Sequence, residues 1–513
     1  MSFWHIFNKK HIYFMITFIV ALIVLIVGYM LYGTLVEKVF GIDEKAETPA
    51  ITKNDGVDYV PMSGWRIFLV QFLNIAGLGP IYGAIMGIFY GPAAFLWIVL
   101  GTIFAGGVHD YLSGMLSLRK GGASLPEIVG SELGTGIRVF MRVLSLVLLL
   151  LLTTTFLSGP AAQLQSMWAL STMPFNDHFI PIVWVLIIFA YYALATVLPV
   201  DKLIGRFYPV FGALLLFMGV GIMIVMLGWH GSQMPELTDG LYNRKSDGLP
   251  IFPMMFISIA CGAISGFHGT QSPIMSRCLT NERQGRWIFY GAMVAEGILA
   301  LIWATAAGTF FAVPEEGLYG IDGLQAFAAA HKGENIAALV IDIVCRSWLG
   351  KVGGALAIVG VIAAPITSGD TALRSARLIV ADFLHIDQKP RLKRLGIALP
   401  LFCCVFAMVF VNFDIVWRYF SWTNQTLAVF TLWAGTVWLY KNGRRPSATL
   451  LMRNGYIMAL IPALFMTMVS TSYILIAPEG FHLPEAYRWI GYAVAGVVTA
   501  GLLALFARFM CKK

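Results

Sequence analysis

Two glycine-interrupted apolar segments contain the residues best suited to hold a small polar ligand. The first reads Asn74-Ile-Ala-Gly-Leu-Gly-Pro80, and the second reads Cys261-Gly-Ala-Ile-Ser-Gly-Phe-His-Gly269. Bare backbone at membrane depth is tolerated only where protein or a water-filled cavity satisfies it. Two such breaks, one in each half of a membrane chain, indicate a transporter's binding site. We therefore predict a ligand site between them.

The chemistry of the breaks follows from their backbone. Pro80 lacks an amide donor and disfavours helical geometry at Gly79. Half-helix amide ends attract an anionic group, and carbonyl ends suit a small cation. The predicted ligand contacts are Gln71, Asn74, Gly77, Leu78 and Gly79 at the first break, and Ser265, Gly266, Phe267 and His268 at the second. For His268 the alternative is a packing residue with satisfied hydrogen bonds.

A third segment carries oxygen ligands. In Ala364-Pro-Ile-Thr-Ser-Gly-Asp-Thr371, Ala364, Thr367 and Ser368 share one helix face at i, i+3 and i+4. A carbonyl and two hydroxyls suit a hard cation. The alternative is that both hydroxyls bond back to their own helix.

One carboxylate lies deep inside an apolar segment. Glu296 stands about ten residues into its predicted span, where a charge is costly. It is either a proton carrier or a protonated, packed hydrogen-bonding group.

Further ionisable residues lie near the predicted inner helix ends. Asp370 is one helical turn from Arg374 and two from Arg377, which predicts an internal ion pair or a gate. His109 and Asp110 are expected to pair with those arginines.

The composition indicates what must position these residues. The 513-residue chain is 58% hydrophobic and 12% charged, with a mean hydropathy of +0.77. Soluble domains carry about 25% charged residues. We predict an all-α polytopic membrane protein with about 13 transmembrane helices, and the lipid bilayer as its solvent.

Charge and motif content exclude other classes. The net charge of +8 would suggest a nucleic-acid partner in a soluble protein, but here most basic residues fall in alternate loops. This places the N-terminus outside and the C-terminus in the cytoplasm. No P-loop, metal-ligand spacing or nucleophile–base constellation is present, so neither an enzyme nor a cofactor is expected.

The predicted organisation has five parts. They are an N-terminal transmembrane helix (1–40), a cytoplasmic connector (41–65), a five-helix repeat (66–230), a second repeat (250–440) and two C-terminal helices (455–513). Since each repeat has five spans, the second is inverted. An ordinary bundle with incidental glycines is the alternative. Residues 315–350 predict an amphipathic external helix, acting as a lid or lying at the interface.

Several motifs together resemble the carbon starvation protein A (CstA) family. The resemblance covers roughly residues 56–440 and rests on motifs in order: Asn54–Pro61, Ile75–Pro80, Leu100–Tyr111, Ala260–His268, Tyr290–Met293 with Glu296, and Asp370–Arg377. It implies a bacterial inner-membrane carrier linked to peptide uptake or, in close relatives, to proton-coupled pyruvate uptake. Where typical members carry a histidine pair, this chain has Gln71 and Phe72, so substrate and ion could differ.

The resemblance also implies a fold and a cation site. The fold is the LeuT-like 5+5 inverted repeat of the amino acid–polyamine–cation superfamily, with discontinuous first and sixth core helices. A candidate Na⁺ site then combines the first break with the Ala-x-x-Thr-Ser pattern, at Ala76, Gly79, Ala364, Thr367 and Ser368.

These observations lead to one functional hypothesis and two alternatives. The expected function is an ion-coupled symporter importing a small carboxylate, amino acid or short peptide, linked to the carbon starvation response. Na⁺ would bind at Thr367 and Ser368, or Glu296, His268 and Asp370 would relay H⁺. The alternatives are an uncoupled channel or facilitator and a membrane sensor of nutrient state.

Overall fold

The computed structural model describes residues 15–175, 178–197, 200–332, 335–388 and 390–511. Residues 1–14 of the predicted N-terminal segment lie outside it. The helices are α1 Ile16–Phe40, α2 Pro49–Thr52, α3 Gly64–Ile75, α4 Leu78–Ile88, α5 Ala93–Arg119, α6 Leu125–Leu133, α7 Thr135–Met167, α8 Ile182–Val197, α9 Val200–Trp229, α10 Ile251–Ser258, α11 Ala260–Ala263, α12 Gly266–Ser276, α13 Gly291–Phe310, α14 Ile321–Ala330, α15 Ile336–Leu384, α16 Arg391–Met408, α17 Phe413–Gly443, α18 Leu450–Asn454, α19 Ile457–Ile476 and α20 Arg488–Cys511. Two antiparallel ribbons pair β1 Met173–Phe175 with β2 His178–Ile180, and β3 Ala312–Val313 with β4 Leu318–Tyr319.

The helices confirm a multi-pass membrane protein. Within the described ranges, 8 helices are long and apolar enough to cross a bilayer, or up to 9 if the bent pair α3–α4 counts as one span. The number of 13 spans and the inverted 5+5 repeat stay predictions.

Both predicted breaks are present. Helix α3 ends at Ile75, Ala76 and Gly77 leave helical geometry, and α4 starts at Leu78 after a bend of 45°. Pro80 lies in the first turn of α4, where a missing amide donor is tolerated. In the second half, Ile264 and Ser265 are extended between α11 and α12.

The two broken helices pack against each other through glycines. Gly79, Gly83 and Gly87 recur every four residues on one face of α4. A Cβ at Gly79 would lie 2.5 Å from Cys261 Sγ, and one at Gly83 would lie 2.6 Å from the carbonyl oxygen of Ser258. Small residues at this spacing allow close backbone approach between membrane helices. The breaks are therefore held side by side.

Three π-helical turns lie together beside the breaks. They comprise Tyr29–Gly33 in α1, Thr102–Gly106 in α5, and Arg286–Tyr290, which leads into α13. The Tyr290 hydroxyl donates to the carbonyl of Ile103 at 2.7 Å, across two of these turns. Such turns often occur at functional sites. The second and third immediately precede the parts of α5 and α13 that carry the buried acidic residues Asp110 and Glu296.

The predicted amphipathic segment at 315–350 forms two helices. Helix α14 is followed by the first part of α15, which kinks at Gly350 (φ 70°, ψ −178°). Only glycine adopts this conformation readily. A lid role for this segment stays a prediction.

Candidate functional site

The first break presents buried amide side chains. Gln71 and Asn74 are fully buried on α3, and the Gln71 amide donates to the Ser272 hydroxyl of α12 at 3.2 Å. Within the described chain, the amide oxygen and nitrogen of Asn74 have no hydrogen-bond partner, and neither do those of Gln271 on α12. A buried amide without a partner costs free energy, so these groups are suited to a polar ligand.

The backbone amides at the first break are also available to a ligand. Among the residues that the structure describes, no side chain caps α4, whose N-cap residue is Gly77. The amides of Leu78 and Gly79 therefore stand at an uncapped helix N-terminus, which favours an anion.

The second break is held by side chains of α17. Asn424 Oδ1 accepts the Phe267 amide at 2.7 Å and the Ser265 hydroxyl at 3.1 Å. The Gln425 amide donates to the carbonyl of Ile264 at 2.8 Å, and Gly266 lies directly against the backbone of Asn424. The amide end that was predicted to bind a ligand is thus already capped.

Sequence reasoning missed Asn424 and Gln425. Their signal was present as two adjacent amides in Ser421-Trp-Thr-Asn-Gln-Thr426, within an otherwise apolar helix. Polar residues at such positions hydrogen-bond across helices.

A buried acid–histidine cluster lies beside the second break. Asp110 of α5 places Oδ1 at 2.8 Å from His109 Nδ1 and Oδ2 at 2.8 Å from His268 Nδ1. On the opposite side of the ring, His268 Nε2 is 3.4 Å from Glu296 Oε2 of α13. All four residues are fully buried. We name His109, Asp110, His268 and Glu296 the proton cluster.

The proton cluster brings together His268 and Glu296, two members of the predicted relay, and gives Asp110 partners other than those predicted. Its carboxylate contacts two histidines instead of the expected arginines, because its face of α5 packs against α12. Imidazole can take a proton on one nitrogen and release one from the other. His268, between two carboxyl groups, has the geometry for this transfer.

The arginines of α15 meet a carboxylate from the connector. Asp58 Oδ1 lies 3.1 Å from Arg377 Nη2 and 3.5 Å from Arg374 Nη1, and the three side chains are buried. Burial raises the pKa of Asp58, but the guanidinium groups of Arg377 and Arg374 outweigh it and hold this pKa below its usual value. Asp370 is buried one turn earlier on α15, and its role in a gate stays a prediction.

The Ala-x-x-Thr-Ser segment reaches the first break. The Thr367 and Ser368 hydroxyls donate to the carbonyl of Ala364 at 2.7 and 2.9 Å, as the back-bonding alternative requires. Ser368 also donates to the carbonyl of Asn74 at 2.8 Å, and a Cβ at Gly77 would lie 3.3 Å from the Ser368 hydroxyl. The set contains only oxygen ligands, which fits an alkali cation.

Comparison with known proteins identifies relatives in sequence. The family model described as "Carbon starvation protein CstA" matches residues 13–173 and 160–319. An uncharacterized membrane protein of Haemophilus influenzae is 45% identical over 59% of this chain and 92% of its own length. The peptide transporter CstA of Campylobacter jejuni is 29% identical over 66% of this chain and 58% of its own. The pyruvate/proton symporter BtsT of Escherichia coli is 27% identical over 60% of this chain. The alignment spans only 50% of the BtsT sequence.

Solved structures show a similar fold. A manganese transporter of Eremococcus coleocola superimposes with a TM-score of 0.56 over 89% of this chain and 98% of that chain, at 13% identity. This likeness concerns the fold alone.

Proposed function

Because the chain belongs to the carbon starvation protein CstA family, we propose that it is a proton-coupled secondary active transporter importing a small carboxylate, amino acid or short peptide. The observation that carries the proposal is His268, which lies between the carboxyl groups of Asp110 and Glu296 beside the second break. An ionisable cluster buried among membrane helices is costly, and such clusters mark proton pathways in transporters.

The substrate site is assigned to the first break. The uncapped amides of Leu78 and Gly79 attract the substrate carboxylate, while the unpartnered amide of Asn74 bonds its polar remainder. Ser265 and Phe267 instead bond to Asn424, so the second break lines the site but keeps these groups for α17.

Proton coupling follows from the position of His268 on α12. His268 lies at the start of α12, which packs on α3. A proton taken up by the proton cluster therefore changes the charge at that end of α12. If protonation and substrate binding favour the same arrangement of α12, each increases the affinity for the other. Alternating access then requires only movement of the broken helices against the rest.

Sodium coupling is the second candidate. It is supported by the Ser368 hydroxyl, which joins the carbonyls of Ala364 and Asn74.

We also propose that the protein lies in a bacterial inner membrane, with the connector in the cytoplasm.

The test is transport in proteoliposomes with labelled pyruvate, alanine and dipeptides, under Na⁺ and pH gradients imposed separately. Concentrative uptake under a pH gradient alone is the expected result, and Glu296→Gln should remove it. Glu132→Gln is the matched control, because Glu132 bonds Lys120 and Lys441 at 2.8 Å, outside the proton cluster. Uptake that never exceeds equilibrium would favour a facilitator. The absence of transport of any of these solutes would contradict the proposal and favour a sensor.

A further inference from the structure

The Asn54–Pro61 motif has no part in the transport mechanism described above, yet several hydrogen bonds fix its conformation. The Asp55 carboxylate accepts the backbone amides of Val57, Asp58 and Tyr59 at 2.8, 2.9 and 2.9 Å. Three bonds to one carboxylate oxygen fix the turn that carries Asp58. The Asp58 side chain is therefore presented in one position.

Asp58 enters a cluster of buried arginines, which we name the arginine site. Its members come from three helix ends, and each is at most 4% exposed: Arg277, Arg374, Arg377 and Arg394. Asp58 accepts two bonds from Arg377 Nη2, at 3.1 and 3.4 Å. A second carboxylate near the site is Asp382, 3.8 Å from Arg277 and one-third exposed.

In the described part of the chain, Arg394 has donors in the arginine site that no acceptor uses. Two carboxylates, the side chain of Gln388 and two backbone carbonyls accept from the guanidinium groups of the other three arginines. Arg394 Nε and Nη1 are buried without a hydrogen-bond partner within the described ranges. A buried cation without full pairing is costly, so further anion binding would be favourable.

We propose that the arginine site binds the carboxylate of a transported solute on the connector side of the protein, and that Asp58 occupies this site until the solute displaces it. The inference rests on the proposed transport of a carboxylate. Arginine is suited to the task because its planar fork bonds a carboxylate at two points. Asp58 shows that the site accepts a carboxylate, and Arg394 supplies additional donors.

The route to the site is the connector itself. The Met62 amide donates to the carbonyl of Cys278 at 3.1 Å, just beyond the end of α12. Arg277 neighbours this contact and lies over the Tyr59 ring at 5.0 Å. When α12 moves, the connector and Asp58 are released together, and the arginine site opens to solution.

Binding of acetate to the purified full-length protein tests the proposal. The readout is the shift in thermal unfolding temperature with acetate, against chloride at equal ionic strength. Asp58→Asn should bind acetate about tenfold more tightly than the wild type. In the wild type, only the molecules in which Asp58 has left the arginine site can bind acetate, and the apparent affinity is lowered by that fraction. Combining Asp58→Asn with Arg377→Gln should remove this gain.

Glu132→Gln is again the matched control, since it removes a buried carboxylate held between two cations at another place. The proposal is overturned if Asp58→Asn responds to acetate no more than the wild type, or if Glu132→Gln responds equally. A response to inorganic phosphate without one to acetate would overturn the carboxylate class. Because binding is measured without transport, failed transport with a positive acetate response contradicts only the proposed function, and the reverse result contradicts only the arginine site.

Discussion

Replacing Asn424 with alanine tests whether this side chain holds the second break in place. Asn424 Oδ1 accepts the Phe267 amide at 2.7 Å, and no helix carbonyl can replace it because Phe267 lies in the first turn of α12. Removing the only acceptor of a buried amide costs about 1–3 kcal/mol. The Ser265 hydroxyl loses its partner too, although it can rotate.

The expected total loss is about 2–4 kcal/mol of unfolding free energy, including the small cavity left by the amide. Asn442→Ala is the matched control on the same helix. Asn442 is equally buried, but it only donates to the carbonyl of Phe40, at 3.2 Å. Its loss should cost about 0.5–1.5 kcal/mol.

Both variants are compared with the wild type by thermal unfolding in detergent and by pyruvate counterflow in proteoliposomes. Asn424→Ala should unfold at the lower temperature and lose most counterflow, while Asn442→Ala keeps it. Equal unfolding temperatures together with unchanged counterflow in Asn424→Ala would refute the claim that Asn424 holds the break.

Four further predictions follow from single contacts. Glu296→Gln should reduce pH-driven uptake at least about tenfold, while counterflow of the same solute persists. Thr367→Ala should leave pH-driven uptake intact and abolish any stimulation by Na⁺. Gly83→Val should lower the unfolding temperature, by an overpacking cost of about 1–3 kcal/mol, because its Cβ would lie 2.6 Å from a backbone oxygen of the second broken helix. Burial raises the pKa of Asp58, but the neighbouring guanidinium groups lower it further, below its usual value. The Asp58 ion pair therefore stabilises the fold above about pH 4 and is lost as pH falls below that. The protection factor of the Met62 amide, which is its intrinsic exchange rate divided by the measured rate, should thus stay constant from about pH 8 to about pH 5 and fall only in stronger acid.

Local signals were sufficient to locate both breaks. Pro80 and the glycines around it specify where α3 must end, because they act within one helical turn. The same holds for Ser265 and Gly266. Burial of Glu296 could likewise be expected from its position deep in an apolar span.

Partners across helices were not predictable in the same way. Asp110 was assigned to the arginines because both lie near helix ends, but its partner depends on which face of α5 meets α12. Asp58 was overlooked as a partner because it lies in a polar connector about 319 residues from Arg377 along the chain. Asn424 required knowing that α17 packs on the second break. The repeat of Gly79, Gly83 and Gly87 could have been found, since its spacing is a packing signal.

Helix α12 connects the proton cluster to the arginine site. His268 lies in its first turn within the proton cluster, and Arg277 follows its last residue, within the arginine site. Eleven residues of helix span about 16 Å, and we expect α12 to move as one unit. A shift that alters the distance of His268 from Asp110 therefore also alters the contact between Cys278 and Met62 that holds the connector. Because linkage is reciprocal, a solute that displaces Asp58 must change the proton affinity of the cluster by the same free energy with which protonation changes solute binding. Under the two proposals above, proton uptake is thereby coupled to solute release on the connector side without any direct contact between proton and solute.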